Sequence, residues 1–441
     1  MLNRIKEVAN NFVEYSKNKE IVIVSHNDTD GITSASIITK CLKRLDRKFE
    51  LKIVKSLTPE IIYDLPNNKV ILFTDLASNS LPYIEEKGFE RVFIIDHHEI
   101  SQEIPKNVSI INPHLHEGDE KICSAGLSYL FAKSISEENK DLANLAVIGI
   151  IGDRMESSLS KFNNEIMKDA EVVIKKGIML YPATRPLNRV LEYSSEPYIP
   201  DVTGSSEGVM HLLREVNIEK NSSGKVKSLI ELDDEEMTRL VTAIMIRRAS
   251  KNHNDQIIGN IFLVKHFSKL EDAREISAKI NATSRLGEPY SAILFCLEEA
   301  KAAKRVEALY VKYKQALIAG LNDVKEMNKI VGKNYVIINA RDKVKDTIIG
   351  TVISIISSSS VYEDGTILIG MAYDGDKIKI STRLSGRSGR NLRTLLEQVI
   401  TKVGGEFGGH QAAAGAIIEK EKEQQFVDEL KSNLEVEIIK I

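Results

Sequence analysis

The stretch Ser25-His-Asn-Asp-Thr-Asp-Gly31 sets an imidazole and two carboxylates at alternate positions: His26, Asp28 and Asp30. It directly follows Ile21–Val24, a β-branched run that suits a buried strand. After Gly31, the residues Ile32, Ala35, Ile38, Leu42 and Leu45 share one helical face. The motif therefore occupies a strand-to-helix connection. In parallel α/β sheets chemistry gathers at the carboxyl ends of the strands. Side chains two apart on an extended piece point the same way, so Asp28 and Asp30 would each serve one ion of a close pair.

The pattern recurs downstream. LKIVKS (51–56) reads as a strand, Val70–Thr74 as another ending at Asp75, and RVFIID (91–96) as a third ending at Asp96, His97 and His98. Between the last two, residues 78–89 read as a helix capped by Ser78 or Ser80. The apolar run Leu145–Ile151 stops at Gly152-Asp153 and reads as a helix. These elements define an α/β chain built on a parallel sheet.

A single Asp after a strand is usually a cap or turn former. Here the argument is joint placement. His26, Asp28, Asp30, Asp75, Asp96, His97 and Asp153 fall at one sheet edge. Crowded carboxylates repel, and each is costly to desolvate, whereas divalent cations relieve both problems. Imidazole mixed with several carboxylates favours Mn²⁺ or Mg²⁺ over structural zinc. Two ions about 3.5–4 Å apart form a clamp for in-line phosphoryl transfer to water. The reading is a metal-dependent phosphoesterase. It leaves pyrophosphate, a cyclic dinucleotide, a short oligonucleotide and a long strand all open as substrates.

Composition bounds the rest. The chain has 441 residues, enough for two to four domains, with 42% hydrophobic and 28% charged residues. A formal net charge of −3 carries no general polybasic signature, which leaves room for a local basic groove. Three dispersed cysteines point to a reducing, cytoplasmic setting, and no continuous apolar span predicts a membrane segment.

Asp96-His97-His98 resembles the signature of the DHH phosphoesterase superfamily. The stretch 25–31 resembles its first motif, Asp75 its second and Asp153 its fourth. The segment GGEFGGHQAAAG (404–415) resembles the glycine-rich signature of the DHH-associated (DHHA1) domain. INATSRLGEP (280–289) is similar to a segment of RecJ-type nucleases. The likeness is strongest to archaeal RecJ-like exonucleases of the GINS-associated type. It implies two Mn²⁺ ions, with Mg²⁺ as the other candidate: His26 and Asp28 on the first ion, Asp75 bridging, and Asp30, His97 and Asp153 on the second. It also implies that His98 sits near the scissile phosphate and that Asp96 orients a histidine. Asn27 and Thr29 fill variable positions of motif one without removing a ligand.

The resemblance further implies a DHH catalytic domain over 1–214, an inserted subdomain over 215–268 suited to a partner, a RecJ-like segment and connecting helix over 269–330, and a DHHA1 domain over 331–441, with a cleft between the lobes. Arg383, Arg387, Arg390 and Arg393 fall within a short basic stretch suited to a polyphosphate backbone. Arg383, Arg387, Gly408, Gly409 and His410, with Asn281 and Arg285, are the expected substrate contacts. Residues 181–208 read as a surface connection, and Tyr290 and Phe407 as core. The implied activity is a single-strand-specific exonuclease releasing 5′-mononucleotides from DNA or RNA, with GINS and other replisome proteins as further partners. The alternatives are a short-oligonucleotide or cyclic-dinucleotide phosphodiesterase, and a non-enzymatic replisome scaffold.

Overall fold

The computed structural model describes residues 1–441 except 117–120, 158, 195–196, 198, 222, 250–256, 360, 387–388 and 436–441. The chain packs as two compact units. One comprises Met1–Glu192, Val209–Thr242 and Gln256–Tyr310; the other comprises Tyr193–Gly208, Ala243–Asp255 and Val311–Ile441.

The first unit is built on a five-stranded sheet of β1 (Ile21–His26), β2 (Phe49–Val54), β3 (Val70–Thr74), β4 (Val92–Ile95) and β5 (Val108–Ile111), all parallel, in the order β2-β1-β3-β4-β5. Both faces are covered, which explains why the strands are continuous apolar runs rather than alternating ones. Ile21, Ile23, Leu72, Phe93 and Ile95 pack with α1 (Leu2–Tyr15) and α2 (Thr29–Arg44). Val22, Val24, Ile71, Phe73 and Ile94 point the other way, to α3 (Pro59–Tyr63) and α4 (Leu81–Lys87). The first face also takes α5 (Ser124–Ile135), α6 (Ala143–Gly152) and α7 (Lys161–Asp169).

Strand order reverses at β1, because β2 lies on one side of it and β3 on the other. The crevice beyond β1 and β3 is thus the topological switch point, where open α/β sheets place ligands. Register aligns the strand ends there: Ser25 pairs with Thr74, and Thr74 with Ile95.

A second, antiparallel sheet joins β6 (Val173–Ile178), β7 (Ile258–His266) and β8 (Lys269–Asp272). Between β6 and β7 come α8 (Leu187–Glu192), α9 (Ser206–Glu215) and α10 (Asp234–Ala249). Residues 181–208, expected as a surface connection, bury Ala183, Leu187, Val190 and Leu191. Their Pro, Ser and Gly content masks a short amphipathic turn. After β8 follow α11 (Ala273–Arg285), α12 (Pro289–Cys296) and α13 (Ala300–Glu326).

The second unit carries a six-stranded sheet of β9 (Ile330–Val331), β10 (Tyr335–Arg341), β11 (Ile367–Asp374), β12 (Lys377–Leu384), β13 (Glu406–Gly409) and β14 (Ala413–Glu419), ordered β13-β14-β12-β11-β10-β9. Helix α14 (Asp346–Ser358) connects the one parallel pair, β10 and β11. Tyr335, Ile337, Ile369 and Ile380 form a core with α15 (Leu392–Val403) and α16 (Glu423–Glu435).

Gly31 makes the first turn possible. A Cβ there would lie 2.3 Å from the carbonyl oxygen of His26, which is backbone and cannot swing away. Gly31→Ala is expected to destabilise the first unit by about 1–3 kcal/mol through overpacking. Urea unfolding checks this, and an unchanged midpoint would refute the tight turn.

Candidate metal centre

Each strand end delivers its ligands by ordinary local structure. Asp28 is the N-cap of α2: its Oδ1 accepts from Gly31 N at 3.0 Å, which leaves Oδ2 3.0 Å from His26 Nδ1. Asp75 follows β3 with φ +60°, and its amide donates to Ile95 O at 2.9 Å. A left-handed conformation at a residue other than glycine costs on the order of 1–3 kcal/mol and is held by its surroundings. Asp153 is the C-cap of α6.

These groups converge. His26 Nδ1 lies 3.4 Å from Asp75 Oδ2, and His97 Nε2 lies 3.5 Å from Asp75 Oδ1. His97 also sits 3.7 Å from both Asp30 Oδ2, through Nε2, and Asp153 Oδ2, through Nδ1. Three overlapping triads result: His26–Asp28–Asp75, Asp30–His97–Asp153 and Asp75–His97–His98. The structure therefore brings together all six expected ligands, and Asp75 belongs to two of the triads.

Asp75 is only 2% exposed, and neither of its carboxylate oxygens has a hydrogen-bond partner. A buried carboxylate with no donor of adequate geometry is the observation that fits a divalent cation. Asp30 is also buried, but α5 receives it: Ser124 N donates to Oδ2 and Ala125 N to Oδ1, both at 2.8 Å. That support at a helix N-terminus carries no side-chain signature and was not read from the sequence.

Electrostatics follow the geometry. Burial works against ionised Asp75, yet His26 and His97 hold it below the usual carboxylate range. Burial, then the charge on Asp75, pushes Asp30 well up; the charge on His97 acts the other way. Asp153 is raised to about 6 by burial and by the neighbouring carboxylates. Burial disfavours a charged His97 ring, but Asp75, Asp30 and Asp153 outweigh it and lift the ring to about 10. Asp28 and Asp75 likewise outweigh burial at His26 and raise it.

Asp96 is fully buried and organises the next strand end. Its Oδ1 lies 2.7 Å from His98 Nδ1 and accepts from His97 N at 2.8 Å; its Oδ2 accepts from Ser78 N at 2.9 Å. Asp96 foremost, then burial acting against it, sets the balance that leaves His98 raised. Asn112 Nδ2 donates to His98 O at 2.8 Å and to Ser78 Oγ at 3.0 Å. Ser78 thus supports Asp96 rather than capping α4, whose N-cap is Ser80, without a capping side-chain hydrogen bond.

The expected substrate contacts divide between the two units. Asn281 lies on α11 and accepts from Thr29 N at 3.1 Å; Arg285 is exposed at the end of the same helix. Arg383 lies on β12, with Nε donating to Ser354 Oγ and Nη1 to Thr382 O, both at 2.8 Å. It pairs with Ala413 at the start of β14. Gly408 and Gly409 end β13, and the exposed His410 follows. Gly409 has φ +126°, and a Cβ there would meet Ala414 Cα at 2.5 Å, so the hairpin closes only on glycine. Arg390 is pinned to Asn433 O at 2.5 Å. Arg387 lies outside the described residues. Tyr290, expected in the core, is 52% exposed and donates its hydroxyl to Leu51 O, and Phe407 is also exposed.

Comparison with known proteins fits this architecture. Residues 20–150 match the DHH family, N-terminal domain, 180–262 the DHH-CID domain and 332–436 the DHHA1 domain. The chain belongs to the DHH/DHHA1 phosphoesterase superfamily, as the motifs led one to expect. It is 30% identical over 432 residues to the uncharacterized protein MJ0831 of Methanocaldococcus jannaschii, covering 93% of each. The structure of exonuclease RecJ bound to manganese is similar with TM-score 0.60 and 17% identity, over 98% of this chain and 95% of that one. CDC45 from Entamoeba histolytica has TM-score 0.68 and 13% identity over 99% of each chain. At such identities the two structural likenesses establish a RecJ-like fold. No helix among the described residues is long and apolar enough to cross a membrane.

Metal ligation requires neutral imidazole, and His97 stays protonated up to about 10 without metal. Binding at neutral pH is therefore expected to expel protons, and affinity for Mn²⁺ to rise with pH. Calorimetry in buffers of different ionisation enthalpy measures this release; identical heats in all buffers would contradict the ligand role of His97.

Proposed function

We propose that this chain is a metal-dependent single-strand exonuclease that releases 5′-mononucleotides from DNA or RNA. The observation that carries the reading is the donor-free, buried carboxylate of Asp75 set between His26 and His97. His26, Asp28 and Asp75 would hold one ion, and Asp75, Asp30, His97 and Asp153 the other. When bound, two divalent ions supply Lewis acidity that activates water and neutralises charge on the phosphate. Manganese is favoured by the mixed imidazole and carboxylate donors, and magnesium is the natural competitor.

The remaining groups have distinct tasks. Asp96 engages Nδ1 of His98, which leaves Nε2 of that partly exposed ring to donate to a phosphate oxygen or to the leaving oxygen. In the second unit, Arg383 and the exposed side chain of His410 suit a phosphodiester backbone. A polymer rather than one small ester is supported by this second set of phosphate-type donors and by the presence of the DHHA1 domain.

The test is a time course on end-labelled DNA and RNA, from dinucleotides to long single strands, with Mn²⁺, Mg²⁺ or EDTA. Metal-dependent mononucleotide release from long strands is expected. Asp75→Asn should lower kcat by more than about 100-fold, the upper range for losing a group that merely supports a ligand. Cleavage confined to the shortest substrates would move the protein to the short-oligonucleotide phosphodiesterases. Silence on every substrate, with unchanged metal binding by the variant, would leave a scaffold.

A further inference from the structure

Thr29 stands between two of the proposed ligands, Asp28 and Asp30, and is itself almost fully buried. Its backbone N–H, one of the donors that a helix start leaves without an internal partner, is accepted by Asn281 Oδ1 at 3.1 Å. Its hydroxyl donates to Ser277 O at 3.0 Å, and Ser277 Oγ donates to that hydroxyl at 3.2 Å. Its carbonyl accepts from Thr33 Oγ1 at 2.7 Å. Every polar group of Thr29 is thus engaged, and two of the three by α11, about 250 residues downstream.

The packing is shaped around this contact. A Cβ on Gly152 would lie 2.6 Å from Thr29 Cβ and 3.3 Å from Ser277 Oγ. Gly152 immediately precedes Asp153. Three of the six proposed ligands, Asp28, Asp30 and Asp153, therefore lie one residue from the point where α2, α6 and α11 meet.

Helix α11 is itself fixed at its other end. Asp272 caps it, accepting from Arg274 N at 2.9 Å, and its second oxygen accepts from Ala183 N at 2.9 Å. Glu275 pairs with Arg185 and with Lys279, each at 3.2 Å. The helix is a strut anchored on residues 183–185, at the start of the DHH-CID match, with its far end seated on motif one.

We propose that Asn281 and Ser277 are positioning residues of the metal centre: they set the spacing of Asp28 and Asp30 by clamping Thr29, and Asn281 is not chiefly a substrate contact. This rests on the metal-centre reading above. Groups that orient metal ligands typically change affinity by about 10–100-fold when lost. The two roles separate cleanly. A clamp affects metal affinity and spares KM for nucleic acid once metal saturates. A substrate contact raises KM and leaves metal affinity alone.

The experiment is an electron paramagnetic resonance titration of free Mn²⁺ against wild type, Asn281→Ala, Asn281→Asp and Thr29→Val, with kcat and KM measured on a single strand at saturating Mn²⁺. Asn281→Ala and Thr29→Val are expected to weaken Mn²⁺ binding about 10–100-fold with KM within about twofold of wild type. Asn281→Asp keeps the acceptor for Thr29 N–H and should restore most of the affinity. Thr29→Val keeps the shape, so it carries the test where Asn281→Ala does not fold. Wild-type affinity in both variants, or a rise in KM alone, overturns the clamp while leaving the metal centre standing. Absence of Mn²⁺ binding by wild type overturns the metal centre and the clamp with it.

Discussion

The structure depends on placing one carboxylate, that of Asp75, where nothing in the protein donates to it. Removing a charged group from water costs several kcal/mol even after relaxation. The chain adds a left-handed backbone at the same residue. Such a combination persists when the surrounding fold imposes it and a counter-charge meets it. The partners set beside it are the rings of His26 and His97, 3.4 and 3.5 Å away, both raised above the ordinary histidine range by the carboxylates around them. The rings hold the carboxylate without closing good hydrogen bonds on it, so its oxygens are still available to a stronger cation.

The topology explains why this point was chosen. Ligands follow β1, β3 and β4, which are neighbours in space but separated by helices in sequence. Of the six, Asp75 alone takes a left-handed backbone to reach the site. Each loop is braced by its own buried polar pair. Thr74 Oγ1 donates to Ser25 Oγ at 2.7 Å beneath motif one, and Ser78 and Asn112 brace the loop after β4. These small hydroxyl and amide groups are satisfied by one another and by backbone carbonyls, so they add rigidity without adding charge to an already acidic site.

Much of this could be read in the chain before folding. The β-branched runs and the acidic residues that end them carry their own periodicity, and their joint spacing pointed to a two-ion site; the helix expected after Gly31 instead begins at Thr29, so Asp28 is its cap and the motif is not one extended piece. What escaped reading shares one physical character. Amides of Ser124 and Ala125 bind Asp30, but a backbone N–H has no residue type to betray it. Thr29 looked like a variable position because its task depends on Ser277 and Asn281, which only the three-dimensional fold brings near. Leu187, Val190 and Leu191 are buried although punctuated by residues that normally mark loops. Among the arginines, Arg390 serves its own domain through Asn433, so a cluster of charges in sequence did not become a cluster of equivalent sites.

Fold likeness alone leaves the activity open, since the same architecture is found in exonuclease RecJ and in CDC45. What this chain adds to the fold is the grouping, at one sheet edge, of side chains that could hold metal ions. Asp75 lies between His26 and His97, so removing it alone would leave both rings without their buried counter-charge, a loss that typically costs about 3–5 kcal/mol. The chain also accepts a left-handed backbone at this residue. It retains Asp75 in that conformation, keeps His26 and His97 on either side of it, and spends a helix terminus on Asp30 and a buried Thr–Ser–Asn clamp on the residue between Asp28 and Asp30. An arrangement that is strained at one point and reinforced at its neighbours suits a candidate cation site.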